Sequence, residues 1–433
     1  MAKSPVNLSV NLNLKSSLDL SQKIKKLTGY TQQGYSGELL KESQFVWRYN
    51  VTKRECELSL AMPIRAQTYN SNQPHPIFAM NLPEGDQLHR LSKRFAKEFS
   101  KFDEMAILSI VGGDQIGRVE LKVEESKARP KKATIGLSQV LKSKAHEGLF
   151  EYLTETFYDT GISGVQPKVL IPDADIVLPT GRATAQASDL IVKTGGAEYE
   201  NLSQNEYVCM LAAKRAGIEV PEFHLSDDGS LFIMRRFDLR GDGSKLGFED
   251  FAVLGNASYD NAGNYKYKGS YEGVSKLIGM YCSNNNAHQQ RQKYFEYLAL
   301  SCMLRNGDAH LKNFGLLYSN PADLTSVKLA PLFDVVTTSA YNFEDKRTGR
   351  VLSDRTLALK LNKSNTYPSR KELIAFGRDY CFVAKPEVVI DRIAQAMSEV
   401  MKENRSLFPN EFGNLMAKEW EDGVASLQES RQF

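Results

Sequence analysis

The sequence predicts an α+β protein whose sheets lie mainly in the first half of the chain and whose C-terminal part is mainly helical. Segments that alternate apolar and polar residues with a period of two, typical of half-buried strands, lie at 6–14 and 116–123. Helical periodicity instead dominates residues 369–380 and 387–401. A chain of 433 residues, of which 42% are hydrophobic, is long enough for two or three packed units.

Residues 1–125 are predicted to form an N-terminal α/β subdomain. Its helices are expected over 86–99, a basic amphipathic segment, and over 103–111, where Asp103 is a suitable N-cap. The charged stretch 124–133 is poor in apolar residues, which is typical of a linker, and its basic residues favour a solvated connector over a phosphate-binding patch. The strands of this unit are expected at 6–14, 37–50, 56–62 and 116–123.

Residues 126–238 are predicted to bind a nucleotide. The loop 161–168 has glycines on both sides of Ser163 and ends at Lys168, so its main-chain N–H groups could approach a phosphate, although its glycine count alone favours a plain hairpin turn. A strand over 189–194 contains Lys193, which would face the phosphates or, alternatively, be a solvated lysine at a sheet edge. Glu206, on a helix over 202–216, is suitably placed to pair with Lys193. A hairpin over 220–234 then leads into the segment 234–238.

Residues 239–433 are predicted to form the mainly helical C-lobe. The stretch 240–290 is rich in glycine, asparagine and tyrosine, which predicts a long surface excursion. An apolar helix over 291–304 then leads into the polar loop 305–313. Two short strands, over 314–318 and 328–333, follow the loop, and the second ends at Asp334.

The loop 305–313 contains Asp308-x-x-x-x-Asn313. At this spacing protein kinases place a carboxylate beside the attacking hydroxyl and an amide oxygen on magnesium. Taken alone, the pair is more typical of a polar turn that caps a helix, because Asp and Asn are common in loops. Asp334 supplies a second metal carboxylate at the position where kinases carry theirs. Together with Lys193, these residues predict a two-lobed protein-kinase-like fold.

The composition excludes several other classes of protein. No apolar run is long enough to cross a membrane and the N-terminus lacks a signal-peptide pattern, so we expect a cytoplasmic protein. The five cysteines are scattered without C-x-x-C spacing, which predicts reduced, mostly buried thiols and no zinc site. A net charge of +3 is too small to predict nucleic-acid binding by the whole surface. If the protein acts on DNA, we expect a partner protein to supply the domain that recognises the DNA sequence.

The motifs together resemble the HipA family of bacterial toxin kinases. They occur in family order and span nearly the whole chain. They are a glycine loop at Gly164-Val165-Gln166-Pro167-Lys168, the strand lysine Lys193, a hinge at Arg236-Phe237-Asp238, the catalytic loop Asn306 to Asn313, and the metal site Pro331-Leu332-Phe333-Asp334.

The resemblance implies roles for these residues. Asp308 is the base or orienter of the substrate hydroxyl, and Asn313 and Asp334 hold Mg²⁺. His310 is either a nucleotide contact or a structural hydrogen-bonding residue. The implied ATP-binding residues are Gly164, Val165, Gln166, Lys168, Lys193, the main chain of Arg235 and Phe237, His310 and Lys312.

Family members are also similar in carrying a glycine-loop serine that is autophosphorylated. Ser163 is the candidate, and Thr160 is a secondary one. The best-known pattern has its serine two residues earlier, where this chain has Gly161. Two added negative charges in this loop should oppose nucleotide binding.

The resemblance implies a toxin Ser/Thr kinase that uses ATP and Mg²⁺, with an aminoacyl-tRNA synthetase as its substrate. The implied partner is a HipB-like helix-turn-helix antitoxin, which would bring the complex to operator DNA. Two other functions remain open at this point. One is a catalytically idle repression scaffold, and the other is a small-molecule phosphotransferase.

Overall fold

The computed structural model describes residues 23–99, 101–124, 135–142, 147–173, 175, 188–195, 199–260, 262–344, 351–353 and 355–427. The strand predicted over 6–14 and nearly all of the predicted linker 124–133 lie outside these residues. The class predicted from the sequence, an α+β fold with a sheet-bearing N-terminal part and a mainly helical C-terminal part, is confirmed.

An antiparallel five-stranded sheet, in the order β4-β3-β2-β1-β5, forms the N-terminal unit. Its centre is Trp47, which is buried and lies over Gly29 and Gly37, where no side chain would fit. The sheet and its helices share one apolar core. The elements are β1 (Lys26–Thr31), β2 (Gly34–Lys41), β3 (Phe45–Tyr49), β4 (Tyr69–Ser71), α1 (Pro76–Ala79), α2 (Gly85–Phe95), α3 (Glu104–Val111) and β5 (Glu120–Lys122).

Three strand predictions for this unit need correction. The strand expected over 37–50 is two strands, β2 and β3, joined by a turn. No strand forms over the predicted range 56–62. The main-chain N–H of Leu60 donates to the Glu249 carboxylate and not to the carbonyl of a neighbouring strand. The strand expected over 116–123 is reduced to β5, since Gly117 N–H donates to Asp238. The helix expected over 86–99 ends at Phe95.

A second antiparallel sheet, in the order β6-β7-β9-β8, follows in the chain. Lys168 stands directly opposite Lys193, so both side chains project from the same face of the sheet. The other face packs on α5 in a separate apolar cluster. The elements are α4 (Leu137–Lys142), α5 (Glu147–Thr156), β6 (Lys168–Ile171), β7 (Leu190–Thr194), α6 (Leu202–Arg215), β8 (Phe223–Leu225) and β9 (Leu231–Arg235).

The C-lobe is organised around the buried helix α9, whose C-terminal half points Tyr294, Leu298 and Met303 into the core. A three-stranded sheet, β10-β11-β12, lies beside it. The elements are β10 (Gly247–Asp250), α7 (Phe251–Leu254), α8 (Tyr271–Tyr281), α9 (Asn284–Met303), β11 (Gly315–Tyr318), β12 (Lys328–Leu329), β13 (Asn342–Glu344), β14 (Val351–Ser353), β15 (Thr356–Leu361), β16 (Ser364–Thr366), α10 (Arg370–Asp379), α11 (Pro386–Asn404) and α12 (Asn410–Ala425).

The prediction that residues 240–290 form a long surface excursion is wrong for most of this range. It contains β10, α7, α8 and the start of α9, because Phe248, Phe251, Tyr271 and Ile278 are buried in the main core. Helix α9 accordingly begins at Asn284, seven residues before the predicted start at 291. The strand predicted over 328–333 stops at Leu329, and two hairpins interrupt the helical C-terminal part.

The remaining chain-wide predictions concern cysteines and membranes. All five cysteines are free and buried, as predicted. In the described ranges, no helix combines the length and apolarity that a membrane span requires.

Glu249 joins the N-terminal unit to the C-lobe. Its carboxylate accepts hydrogen bonds from Ser59 Oγ at 2.5 Å, from Leu60 N–H at 2.8 Å and from the Tyr318 hydroxyl. Burial raises the pKa of Glu249 to about 7, although these hydrogen bonds act in the opposite direction. Ionisation of this carboxyl group, which lies between two structural units, therefore has a free-energy cost.

We expect the replacement Glu249→Gln to remove a pH dependence of stability. The folded protein holds the Glu249 proton more tightly than the unfolded chain, so this contribution is complete below pH 4.5 and is lost as the pH rises through about 7. The loss is on the order of 3 kcal/mol in the free energy of unfolding. Urea denaturation on both sides of this range should show a smaller slope in the variant than in the wild type, because only the contribution of Glu249 is lost, while other carboxyl groups with a raised pKa, such as Asp308, keep theirs. The exposed Glu411→Gln is the control, and equal slopes in all three proteins would contradict the assignment.

Candidate active site

A cleft of about 1330 Å³ lies between the β6–β9 sheet, the N-terminal unit and the loop 305–313. It brings together residues from distant parts of the sequence. Twelve of the predicted site residues line it, namely Ser163, Gly164, Val165, Gln166, Lys168, Lys193, Phe237, Asp308, His310, Lys312, Asn313 and Asp334. Arg235 is the predicted site residue that is absent from this lining.

Lys193 is the electrostatic centre of the cleft. Its buried Nζ lies 2.5 Å from Glu206 Oε1 on α6 and 2.7 Å from Asp334 Oδ1. Burial disfavours the charged ammonium, but the two carboxylates outweigh this and raise the pKa of Lys193 above its ordinary value. Lys193 is therefore a permanent cation whose position is fixed from two sides.

Lys168 adds a second buried cation beside Lys193. Burial, aided by repulsion from Lys193, lowers its pKa. Its ammonium lies directly beneath Gly164, where an added Cβ would overlap with Nζ. Gly164 also has a φ of +130°, a backbone conformation that side chains disfavour. The glycine loop thus closes over a lysine whose charge a bound phosphate would stabilise.

We expect Gly164→Ala to lower the affinity for ATP roughly tenfold, because the new methyl group displaces the Lys168 ammonium and strains the loop. Isothermal titration with ATP and Mg²⁺ measures this. Gly34→Ala is the matched control, because Gly34 has a φ of +120° but has open space around its Cβ position. A loss of affinity in the control, or none in Gly164→Ala, would contradict the assignment.

The loop 305–313 is held by hydrogen bonds within the loop and by hydrogen bonds to Thr338. Arg305 has a φ of +57°, and the Arg305 carbonyl accepts from Thr338 Oγ1 at 3.1 Å. Asn306 Oδ1 accepts the Asp308 N–H at 3.0 Å. The Asn313 amide Nδ2 donates to the Asp308 carbonyl at 2.7 Å. The two ends of the Asp-x-x-x-x-Asn motif are therefore tied to each other directly.

The Asp308 side chain stands at the open side of the cleft and is 49% exposed. Its Oδ1 accepts a hydrogen bond of 2.8 Å from the Tyr267 hydroxyl. Partial removal of water by the cleft walls raises the pKa of Asp308 to about 6, while the Tyr267 hydrogen bond lowers it. Near neutral pH this carboxylate is ionised and open to a hydroxyl group from solvent or substrate.

Asn313 and Asp334 suit a magnesium ion. Mg²⁺ commonly takes one or two carboxylates and completes its shell with phosphate oxygens and water. Asn313 uses Nδ2 within the loop, which leaves its Oδ1 as the amide oxygen for a metal. Burial opposes ionisation of Asp334, but Lys193 and Lys168 hold its pKa well below the usual range, so it is a carboxylate. Asp334 also has a φ of +58°, a strained conformation of the kind found at functional sites.

His310 and Lys312 stabilise the loop. His310 Nδ1 accepts the Lys312 N–H at 3.3 Å, and burial lowers the pKa of His310 to about 3, so the ring is neutral. The Lys312 ammonium lies 2.7 Å from the Met80 carbonyl oxygen and 3.2 Å from Asp250 Oδ2, which ties the loop to the N-terminal unit. Both side chains face the cleft, and their contact with a nucleotide stays a prediction.

Of the two predicted hinge residues, Phe237 lines the cleft and Arg235 does not. Arg235 N–H donates to the Glu222 carbonyl at 2.8 Å, so it belongs to the sheet and is not available to adenine. Phe237 lines the cleft, and its ring stacks on Phe333 at 5.0 Å between centroids. Ile191 and Met234 extend this apolar wall, which suits the flat face of a base.

Ser163 lies where the glycine loop meets the N-terminal unit. Its hydroxyl donates to Glu84 Oε1 at 2.9 Å, and Glu84 Oε2 lies 3.3 Å from the Lys266 ammonium. Thr160 is fully buried and its hydroxyl donates to the Phe157 carbonyl. Of the two predicted phosphorylation candidates, Ser163 is therefore the accessible one.

Sequence reasoning missed Lys266 and Tyr267, which line the cleft, and Glu84, which contacts Ser163 beside it. Glu84 is the N-cap residue of α2, and the other two lie in a segment that was interpreted as a surface excursion. No periodicity or spacing links either segment to the loop 305–313. Their roles follow from tertiary contacts alone.

Known proteins share both halves of this architecture. The model of the HipA N-terminal domain matches residues 28–122, and that of the HipA-like C-terminal domain matches residues 160–404. Two Sinorhizobium fredii proteins named as candidate kinases, Y4dM and Y4mE, are each 24% identical to this chain. The Y4dM match covers 82% of this chain and 81% of that protein, and the Y4mE match covers 81% and 84%.

A solved structure gives the same result for the fold. It is the complex of HipA, HipB and operator DNA from a Shewanella oneidensis MR-1 toxin–antitoxin system. Its similar chain has a TM-score of 0.66 at 21% identity, and the match covers 93% of this chain and 96% of that chain. The predicted two-lobed fold is thereby confirmed. Since the C-terminal family model alone spans more than half of the 433 residues, the chain belongs to the HipA family.

Proposed function

We propose that this protein is an ATP- and Mg²⁺-dependent Ser/Thr protein kinase. The observation that carries the proposal is the convergence of Lys193, Asp308, Asn313 and Asp334 on one cleft. Phosphoryl transfer depends on positioning and on neutralising charge, and these four side chains supply a cation, an orienting carboxylate and two metal ligands. The kinase names of the relatives and the family's two-lobed fold agree with this assignment.

Each part of the cleft has a task in the proposed reaction. The apolar wall at Phe237 and Phe333 binds the adenine, while Lys193, Lys168 and the main chain of the glycine loop bind the phosphates. Bound Mg²⁺, held by Asn313 and Asp334, would neutralise charge on the phosphate oxygens. Asp308 orients the acceptor hydroxyl and takes its proton as the oxygen–phosphorus bond forms and ADP leaves.

Incubation with γ-labelled ATP tests the proposal. The wild type should label itself and a protein of the cell extract, and Asp308→Ala should label neither. Equal labelling by both proteins would contradict the kinase assignment. Label transferred to a soluble alcohol or lipid headgroup, with no protein labelled, would also contradict it.

We further propose that the kinase is the toxin of a toxin–antitoxin pair. Its substrate would be an aminoacyl-tRNA synthetase, and its partner a small HipB-like helix-turn-helix antitoxin that binds operator DNA for the complex. Family membership supports this, as does the fold shared over 93% of the chain with the HipA of a HipA–HipB–DNA complex. The small net charge of +3 agrees with DNA contact mainly through the partner.

Two measurements test these partners. Purified synthetases, offered one at a time with labelled ATP, should include one that the wild type labels and that Asp308→Ala does not. A gel-shift titration should show operator binding by the complex with the antitoxin and weak, salt-sensitive binding by the chain alone. Tight operator binding by the chain alone would contradict the proposal that the antitoxin makes most of the DNA contacts.

Ser163 is the proposed site of self-phosphorylation. A phosphate on its hydroxyl would meet the Glu84 carboxylate, now 2.9 Å away, and would repel it. The added charge would also compete with ATP for the cations Lys168 and Lys193. We therefore propose that phosphorylation of Ser163 draws the glycine loop away from the cleft and inactivates the kinase.

A further inference from the structure

Tyr267 makes a direct contact with the catalytic carboxylate. It lies on the short helical turn Asn264–Tyr267, and its hydroxyl donates to Asp308 Oδ1 at 2.8 Å. The ring stands nearly perpendicular to the neutral His310 ring, at 5.2 Å between centroids. His310 Nε2 is farther from Oδ1, at 3.8 Å. The phenol is therefore the nearer of these two polar groups around the carboxylate.

The turn that carries Tyr267 is fixed on both sides. The Lys266 ammonium is buried and pairs with Glu84 of the N-terminal unit at 3.3 Å. At the start of the turn, Asp260 Oδ1 accepts the Asn264 N–H at 2.9 Å. The Tyr265 ring is buried beneath the turn. Tyr267 is thus presented to Asp308 by a structure that other parts of the protein hold in place.

The hydrogen bonds of Asp308 within the loop do not fix its side chain. Asn306 and Asn313 bind the main-chain N–H and carbonyl of Asp308, so they fix its backbone but not the rotation of its half-exposed carboxylate. The Tyr267 hydroxyl engages Oδ1 itself. When Oδ1 is engaged, Oδ2 is the oxygen left to face an acceptor hydroxyl.

We infer that Tyr267 is a positioning residue, which holds the Asp308 carboxylate in the orientation that accepts the substrate hydroxyl. This inference rests on the proposed kinase function and adds a residue to its machinery. A hydrogen bond to a charged group is among the stronger ones in proteins, so its loss should reduce the rate of transfer substantially. Nucleotide affinity should not change, because Tyr267 acts on the acceptor side of the cleft.

The test is Tyr267→Phe in the full-length chain, which keeps the ring against His310 and removes the hydroxyl. Single-turnover self-phosphorylation at saturating ATP and Mg²⁺ should slow about tenfold or more, with an unchanged dissociation constant for ATP and an unchanged melting temperature. Tyr380→Phe is the matched control, since Tyr380 is 38% exposed and Tyr267 is 42% exposed. This control should keep the wild-type rate.

A double-mutant cycle separates positioning from a general structural effect. In the Asp308→Asn background, Tyr267→Phe should change the residual rate less than about twofold, because it acts through the carboxylate that is already lost. Full, additive slowing in that background would overturn the inference. So would an unchanged or faster rate for Tyr267→Phe alone, since a faster rate means that the phenol blocks the acceptor position. If wild type and Asp308→Asn label equally, the kinase function itself fails.

Discussion

Replacement of Lys193 by methionine is expected to abolish ATP binding and to lower the free energy of unfolding by about 3–5 kcal/mol. The ammonium lies 2.5 Å from Glu206, whose side chain is fully buried, and 2.7 Å from Asp334. Burial already raises the pKa of Glu206, and its Oε2 has no hydrogen-bond partner in the described part of the chain. Without Lys193 this carboxylate would be an uncompensated buried charge. Urea denaturation measures the loss of stability and calorimetry the loss of ATP binding.

The double replacement Lys193→Met with Glu206→Gln separates the two effects. It should recover most of the lost stability, because the buried charge is gone, and it should still fail to bind ATP, because the phosphate-binding cation is gone. Lys276→Met, at an exposed position of α8, is the control for removing a positive charge. Wild-type ATP affinity in Lys193→Met would refute the proposed phosphate site.

Replacement of Asp308 by asparagine is expected to lower the rate of phosphoryl transfer by about 10²–10⁴-fold, the usual contribution of a positioned acid or base. Asparagine keeps the size of the side chain and an oxygen that can accept the Tyr267 hydroxyl, but it cannot take the acceptor proton. The dissociation constant for ATP should stay within about twofold of the wild type, because Asp308 lies on the acceptor side.

Labelled-ATP kinetics and calorimetry on the same preparations measure this separation of rate from affinity. Asp379→Asn, at an exposed position near the end of α10, is the matched control and should keep the wild-type rate. A fall in rate of only a few-fold in Asp308→Asn would show that another group acts on the acceptor hydroxyl.

The sequence predicted those parts of the site whose residues are close together in the chain or belong to a regular element. Asp308 and Asn313 share one loop, and the Asn313 side chain donates to the Asp308 carbonyl within that loop. Lys193 and Glu206 each follow a strand or helix pattern, so their pairing was foreseen from a strand followed by a helix. The structure places them together, while their chemical roles stay proposals.

Other parts could not be predicted because they depend on tertiary contacts. Glu84 and Lys266 are 182 residues apart, and no local pattern marks them as partners. The stretch 240–290 has the composition of a loop, yet burial of Phe251 and Tyr271 in the core orders it into helices. Hairpin β15–β16 is a different case, because Leu357, Leu359 and Leu361 alternate with a period of two, so a local strand pattern was present in the sequence and was overlooked.

Mass spectrometry of the intact chain tests the central claim most directly. The wild type, first treated with phosphatase, would be incubated with ATP and Mg²⁺ beside Asp308→Asn, and the peptide covering 161–168 would then be sequenced. We predict that the wild type gains the mass of one phosphate, located on Ser163, and that in the same short incubation Asp308→Asn gains less than about a hundredth as much. An unmodified wild type that also transfers no phosphate to extract proteins, or equal modification of both proteins, would contradict the kinase proposed for this cleft.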